Sequence, residues 1–440
     1  MTTQRQLGAV HAAALVVASM VGTGVFTITG ELLPTLPSPS VVLAAWAISG
    51  LLALCGAAVY AELGTMMPRV GGEYVYLSRA FGPATGFMSG WVALIVGFAA
   101  PTGVGALGFA SYVHAVAPAL PQKVVAVALI AAVTTVHMLD VRLGARLQAG
   151  LASTVVAVIV LFVAAALVTG RLSGANLAAT VPIAGRASNG GFATGAGAFA
   201  VGLVTVSYAY SGWNGAAYIA GEVRDPARAL PRALVIGTGL VTLLYLTLNL
   251  VFLSAVPPVA LAGQINVAHI AAGALFGPRG AQLVSSLVAL TAAGFVSAMT
   301  MSGPRVAVAM AEDGAFFRAL GRVNRRGAPT LAVALQGMLA IIAVLTAAFE
   351  RLLVYVGFTL TLNAAAAVLA AFVLRWREPA RERPHRALGW PVSGVLFLAL
   401  SAFMLVLAVR ERPLESAAAL ATLVAGGAAY AAWHRRRRRT

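Results

Sequence analysis

Runs of about twenty apolar residues recur from one end of this 440-residue chain to the other. A helix of that length crosses roughly 30 Å of hydrocarbon. Inside hydrocarbon each unpaired backbone amide or carbonyl costs several kcal/mol, so a spanning segment has every reason to stay a continuous helix. The runs fall at about 8–30, 40–66, 83–112, 122–140, 148–170, 193–221, 232–256, 281–311, 329–349, 351–374, 391–409 and 414–433. They predict an all-α membrane protein of twelve transmembrane helices. Composition agrees: 60% of residues are hydrophobic and 10% charged, against roughly 45–50% and 25% for soluble domains.

Two of the runs are broken near their middles by helix-unfriendly stretches. The first break is Met20-Val21-Gly22-Thr23-Gly24-Val25-Phe26, the second Tyr208-Ala209-Tyr210-Ser211-Gly212-Trp213-Asn214-Gly215. A break at membrane depth is tolerated where the freed backbone groups line a cavity or bind something polar. Paired breaks at corresponding places in two halves are the best sequence pointer to a transporter's substrate site.

The net charge of +17 invites a nucleic-acid reading, but its distribution argues otherwise. With the amino terminus inside, 23 of the 30 basic residues fall in cytoplasmic segments, and the outer segments hold Lys123, Arg171, Arg186, Arg279, Arg351, Arg410 and Arg412. That asymmetry predicts both termini in the cytoplasm of a cell-membrane protein. The run Arg435–Arg439 then reads as a topology anchor touching anionic lipid. Cys55 is the lone cysteine, so neither a disulfide framework nor a thiolate metal cluster is expected. The first apolar run is too long for a signal-peptide core and is expected to be retained.

No soluble domain interrupts the spans, and residues 1–440 read as one membrane domain. Residues 1–170 and 193–374 form two units of five spans, each opening with a broken helix. Since five is odd, the units have opposite orientation. Two further helices (391–433) and a basic tail (434–440) follow. The outer segment 257–280 is expected to lie along the surface as short helices.

The first break offers two glycines that let a ligand approach closely and the Thr23 hydroxyl. Its half-helix from about Val25 begins with amides of positive dipole character, a seat for a carboxylate. The second break frees carbonyls around Tyr208 and Ser211 that suit a protonated amine. A zwitterion spanning both satisfies the two sets together, which points to an α-amino acid. The bland alternative is that Gly22 and Gly24 only permit close helix packing.

Several passages resemble the amino acid–polyamine–organocation superfamily, specifically its bacterial L-type-like amino acid permeases: SMVGTGVF (19–26), AELGTMMPRVGGEYVYLSRAFGP (61–83), YAYSGWNGAAYIAGEVRDPARALPRAL (208–234), SGPRVAVAMAEDGAFF (302–317) and RPHRALGWP (383–391). The resemblance implies a LeuT-type fold, a five-plus-five inverted repeat with helices 1 and 6 broken, and alternating access around a midplane site. It implies that Gly22, Thr23 and Gly24 bind the substrate carboxylate. The carbonyls of Met20, Tyr208 and Ser211 take the amine, and Tyr208 closes over the substrate from outside. Asn214 stands where some relatives carry a Glu tied to cationic substrates, which favours neutral amino acids. Val155 replaces a Lys that in many sodium-independent members stands in for a sodium ion, leaving the coupling open.

Candidate coupling groups are His11, Glu62, Glu222, Ser297 and Thr300, with Ser302 nearby. An ionisable group in a membrane is a functional hypothesis by default, though Glu62 and Glu222 also read as partners of nearby Arg at a cytoplasmic gate. Span Ser and Thr commonly bond their own helix. Trp213 is expected against the site as part of the gate. Trp46, Trp91, Trp376, Trp390 and Trp433 read as interfacial anchors, and His114, His137 and His269 carry no constellation.

Enzyme motifs and an ATP-binding P-loop are absent from the sequence, and no cofactor or metal is implied. Segment 113–122 lacks the cysteine with which animal L-type relatives join a glycoprotein, so no obligatory glycoprotein subunit is expected. The expected partners are the amino acid and the lipid bilayer, with no nucleic acid. The reading is a secondary transporter, a permease or exchanger, of neutral L-amino acids. A basic amino acid or polyamine exchanger and a non-transporting amino acid sensor are the alternatives.

Overall fold

Apolar runs with few side-chain partners must pair their own backbone, and in the computed structural model they do so as helix wherever the structure describes them. The structure describes residues 8–140, 156–180 and 192–437, with the side chains of 192–194, Glu222 and 434–437 outside that description. Val155, Arg5, Arg142, Arg146, Arg186, Arg438 and Arg439 therefore lie outside it, as do the side chains of Arg435, Arg436 and Arg437.

The first run becomes α1 (Ala9–Met20) and α2 (Gly24–Leu32). Helix α3 (Pro39–Met66) starts sharply, because the Ser38 hydroxyl accepts the Val41 amide at 3.4 Å and Pro39 fills the first turn. A short linker helix α4 (Glu73–Phe81) leads into α5 (Pro83–Val116). Helix α5 widens to π-helical turns over Ala93–Ala99 just before Pro101, whose missing N–H would otherwise leave a gap in the ladder. Then come α6 (Gln122–Leu139), α7 (Val156–Val168), α8 (Phe192–Tyr210) and the single turn α9 (Gly215–Tyr218). The chain continues with α10 (Pro226–Ala255), α11 (Val267–Glu312), α12 (Thr330–Thr346), α13 (Phe349–Arg377), α14 (Val392–Glu411) and α15 (Pro413–Arg437).

Among the described residues the chain is helical without strands, and nine helices, counting α1 and α2 as one, are long and apolar enough to cross a bilayer. Three shorter apolar helices are Val156–Val168, Gly195–Tyr210 and Thr330–Thr346. The chain is thus a multi-pass helical membrane protein. One expectation shifts: the run at 281–311 belongs to the 46-residue α11, which turns at Gly277 (φ +77°) just before Pro278. Segment 257–280 supplies the helix before that turn and the short helix Pro258–Leu261.

Helix α10 lies between α1 and α3, while α8 packs against α2, α3, α13 and α14. At this junction the rings of Trp46, Tyr210 and Tyr245 cluster with centroids 5.1–6.0 Å apart. Trp46 is fully buried and donates its indole N–H to Thr29 Oγ1 at 3.1 Å. It is a core residue and not an interfacial anchor, because α2 offers it a hydroxyl partner inside the bundle.

The Tyr245 hydroxyl sits 2.6 Å from the Met20 carbonyl and 3.1 Å from that of Ala209, donating between the two broken segments. Tyr245→Phe keeps the ring, removes the hydroxyl from both carbonyls and leaves that of Met20 only the Gly22 amide. A buried group left unpaired costs about 1–3 kcal/mol, so thermal unfolding in detergent is expected at a clearly lower temperature than wild type. An unchanged melting temperature would show that the hydroxyl bridge holds nothing.

Candidate functional site

The sequence breaks both helices where its glycines fall. Helix α1 stops at Met20 and α2 resumes at Gly24; α8 stops at Tyr210 and α9 resumes at Gly215. The two gaps touch. Gly212 has φ +102°, and a Cβ there would collide with the Ser19 carbonyl. A Cβ on Gly24 would lie 2.9 Å from that of Ala209, and one on Gly22 would lie 2.6–2.9 Å from the Phe295 ring. The glycines therefore serve close packing, and that packing is what brings one gap against the other.

Buried hydroxyls without partners gather around the junction: Thr23 Oγ1, Ser49 Oγ, Ser207 Oγ and Tyr208 OH. Thr23 and Tyr208 are buried neighbours whose hydroxyls stand close enough to interact with each other but have no other hydrogen-bond partner. Native interiors rarely leave such groups unpaired, so a cluster of them asks for a polar ligand or water. The Met20 carbonyl, by contrast, is already engaged by Tyr245 and by the Gly22 amide at 2.9 Å, and the Tyr208 carbonyl accepts the Ser211 amide at 2.9 Å.

A cleft of about 1180 Å³, including its open mouth, runs from this junction to the linker before α4. Ser211, Trp213, Asn214 and Ser302 line it; Met20, Gly22, Thr23, Gly24 and Tyr208 are not among its lining residues. The Trp213 ring packs edge-on against Tyr60 at 4.7 Å and against Phe397 at 6.2 Å.

Glu73 also lines the cleft, and sequence reasoning did not single it out. Gly71 (φ +126°) and Gly72 (φ +54°) carry the linker flush against Tyr218: the Gly71 amide bonds the Tyr218 carbonyl at 3.1 Å, and a Cβ on Gly72 would sit 2.8 Å from its ring. The turn delivers Glu73 as the first residue of α4, where a helix welcomes negative charge. Its carboxylate accepts from Tyr60 OH at 2.9 Å, from Asn214 Nδ2 at 2.6 Å and from Tyr218 OH. Burial pushes this carboxyl above its ordinary value, while hydrogen bonds from Tyr218, Tyr60 and Asn214 pull the other way. The signal was present as the glycine pair ahead of an acid in VGGEYVY.

The remaining candidates scatter. Glu62 is buried at the end of α3, paired with Arg375, 3.3 Å from Arg383 Nε and accepting the Ala387 amide at 2.8 Å. Arg375 in turn stacks 4.0 Å from the Trp390 ring centre. Together these tie α3 to α13 and the loop after it. Thr300 bonds its own helix at Val296, whereas Ser297 bonds His137 Nε2 on α6 at 3.0 Å. His137 thus has a buried hydroxyl partner. His11 is exposed at the start of α1, and Glu222 lies in a short 3₁₀ turn after α9.

The sequence family described as amino acid permease matches residues 7–428. The chain is 30% identical over 416 residues to b(0,+)-type amino acid transporter 1 of Mus musculus, covering 92% of this chain and 82% of that protein. It is 28% identical over 427 residues to the Homo sapiens protein of that name, covering 93% and 84%. It is also 28% identical over 437 residues to large neutral amino acids transporter small subunit 2 of Mus musculus, covering 97% and 80%. The last likeness corrects one expectation. A protein named a small subunit is one part of an assembly, so the absence of an obligatory partner subunit does not follow. A missing cysteine in 113–122 removes only a covalent tether and leaves non-covalent association open.

Gly212→Ala places a side chain at a positive φ and against the Ser19 carbonyl. Sparsely populated backbone costs about 1–3 kcal/mol and overpacking about as much again. Gly215→Ala meets only the Ser19 side chain, at 3.1–3.3 Å. Thermal unfolding of the two purified variants is expected to show a large loss for Gly212→Ala and a small one for Gly215→Ala; equal losses would deny the close contact of the gaps.

Proposed function

The chain belongs to the amino acid permease family, and from that premise we propose that it is a secondary active transporter of neutral L-amino acids working by alternating access. The family is one of transporters and not of enzymes. In this reading α1/α2 and α8/α9 are the first and sixth helices of a five-plus-five inverted repeat within twelve spans, with both termini in the cytoplasm of an inner-membrane protein. The substrate carboxylate binds at Gly22, Thr23 and Gly24, and the amine at the carbonyls of Met20, Tyr208 and Ser211. Tyr208 gates from outside, and Trp213 packs on the other side of the second gap.

One observation carries this reading: a single hydroxyl, that of Tyr245, donates to carbonyls of both gaps. A substrate ammonium offers three hydrogens to the same neighbourhood. Tyr245 therefore acts as a placeholder donor that yields part of its hold when an amine arrives. The partnerless Thr23 and Tyr208 hydroxyls supply further polar contacts. The Glu73 carboxyl in the cleft brings the basic-substrate alternative to mind, but three donors already occupy its oxygens. Little acceptor capacity remains for a guanidinium or a second ammonium, which favours a neutral side chain.

In proteoliposomes, labelled leucine is expected to exchange and to be displaced by other neutral amino acids but not by arginine. Tyr208→Ala and Gly24→Ala are expected to lower uptake roughly tenfold or more, the equivalent of about 1.4 kcal/mol of lost binding. Arginine as the preferred substrate would overturn the neutral assignment, and binding without flux would indicate a sensor.

A further inference from the structure

Two buried carboxylates lie near the cleft's end of the bundle, and they are held by opposite chemistry. Glu62 is clasped by Arg375 and Arg383. Glu73, with 3% of its surface exposed, receives only neutral donors, two of which, Asn214 and Tyr218, belong to the second gap and the turn that follows it. No ion pair reaches Glu73 among the described residues.

Arg69, Arg79 and Arg377 on the surrounding elements are otherwise engaged. Arg69 pairs with Asp313, which also accepts from Tyr74 OH. Arg79 pairs with Glu378, and Arg377 bonds the Ala80 carbonyl. Helix α5 begins with a stretch, Pro83–Val92, that carries no titratable side chain. From α11, Arg305 lines the same cleft and Glu312 and Asp313 end the helix. On α4 itself, the Tyr76 ring stands edge-on to Tyr60 and its hydroxyl has no partner.

Three donors on one carboxyl suit the ionised form, which only accepts. Adding a proton makes one oxygen a donor, and a hydroxyl now donating to it must turn away. Tyr218 is the donor on Oε2, so protonation there reverses that bond: the carboxyl donates, and the Tyr218 hydroxyl accepts and turns its own hydrogen elsewhere. A cation would have to compete with these three donors for the lone pairs of the carboxylate.

Resting on the transport reading above, we propose that Glu73 carries a proton co-transported with the amino acid, and that its protonation reverses the hydrogen bond to Tyr218 in the turn that follows the second gap. The carboxylate takes a proton from cleft water on one side of the membrane and returns it to water on the other, with no bond changed beyond the O–H. Burial raises this carboxyl and favours the neutral form, while the three donors favour the charged one.

The test uses the full chain in proteoliposomes with the membrane potential clamped at zero. Exchange of labelled for unlabelled leucine scores transport itself, independently of any gradient. An inward gradient of one pH unit is expected to drive up to about tenfold leucine accumulation for one proton per substrate. E73Q, which cannot take the proton, is expected to accumulate none. Tyr218→Phe removes a donor that favours the carboxylate, so the pH midpoint of gradient-driven uptake is expected to move upward. A purely structural Glu73 would not shift that midpoint, which keeps the test decisive even where E73Q fails to fold. Wild-type exchange without accumulation overturns the proton assignment and leaves the transport reading standing. Accumulation by E73Q, or an unmoved midpoint in Tyr218→Phe, overturns it as well. Absence of wild-type exchange overturns the transport reading itself.

Discussion

The Tyr245 hydroxyl is the interaction on which this structure turns. Breaking two helices inside a bilayer strands backbone carbonyls that hydrocarbon cannot satisfy. Tyr245, from unbroken α10, answers the Met20 carbonyl on one broken segment and the Ala209 carbonyl on the other with one O–H. The contact is possible because Gly24 and Gly212 let backbone meet backbone across the gaps. Around it the rings of Trp46 and Tyr210 exclude lipid and water, and the Tyr210 hydroxyl closes onto the Trp46 carbonyl at 3.1 Å. A site built this way has rigid walls and a soft centre held by exchangeable hydrogen bonds.

Away from that centre, two acids divide the work of the cleft's end. The Glu62 carboxylate is desolvated but matched by cations and an amide. Removing one partner from such a buried pair typically costs about 3–5 kcal/mol, which makes it a fixed tie between α3 and α13. Glu73 lacks a cation and leans on tyrosine hydroxyls and an amide, groups that can turn or let go. The difference between a tie and a switch here is the charge of the partners, not the burial of the acid.

Much of this was legible in the sequence because hydrocarbon enforces simple rules. Most apolar runs became helices with ends within a few residues of expectation where the structure describes them; Gly22 and Gly212 fall in the gaps and Gly24 opens the helix after the first. Side-chain partners were harder to see. Trp46 read as an interfacial residue because position along a span says nothing about which face meets Thr29. Tyr245 sits in an apolar run whose local pattern does not reveal that its hydroxyl faces a gap more than two hundred residues earlier. Glu73 was hidden in a loop between spans, and only the fold shows that Gly71 and Gly72 press that loop against Tyr218. The missing cysteine at 113–122 spoke to one kind of bond, and dependence on a partner is not encoded in one bond.

The most direct measurement is a structure of the full chain with bound leucine, resolved well enough to orient the amino acid. The carboxylate is expected against the amides of Gly22 to Gly24 and the ammonium against the carbonyls between Met20 and Ser211, with the Tyr245 hydroxyl drawn back from Met20. Leucine seated elsewhere in the cleft, with Tyr245 still bridging both carbonyls, would contradict the assignment of the paired gaps as the substrate site.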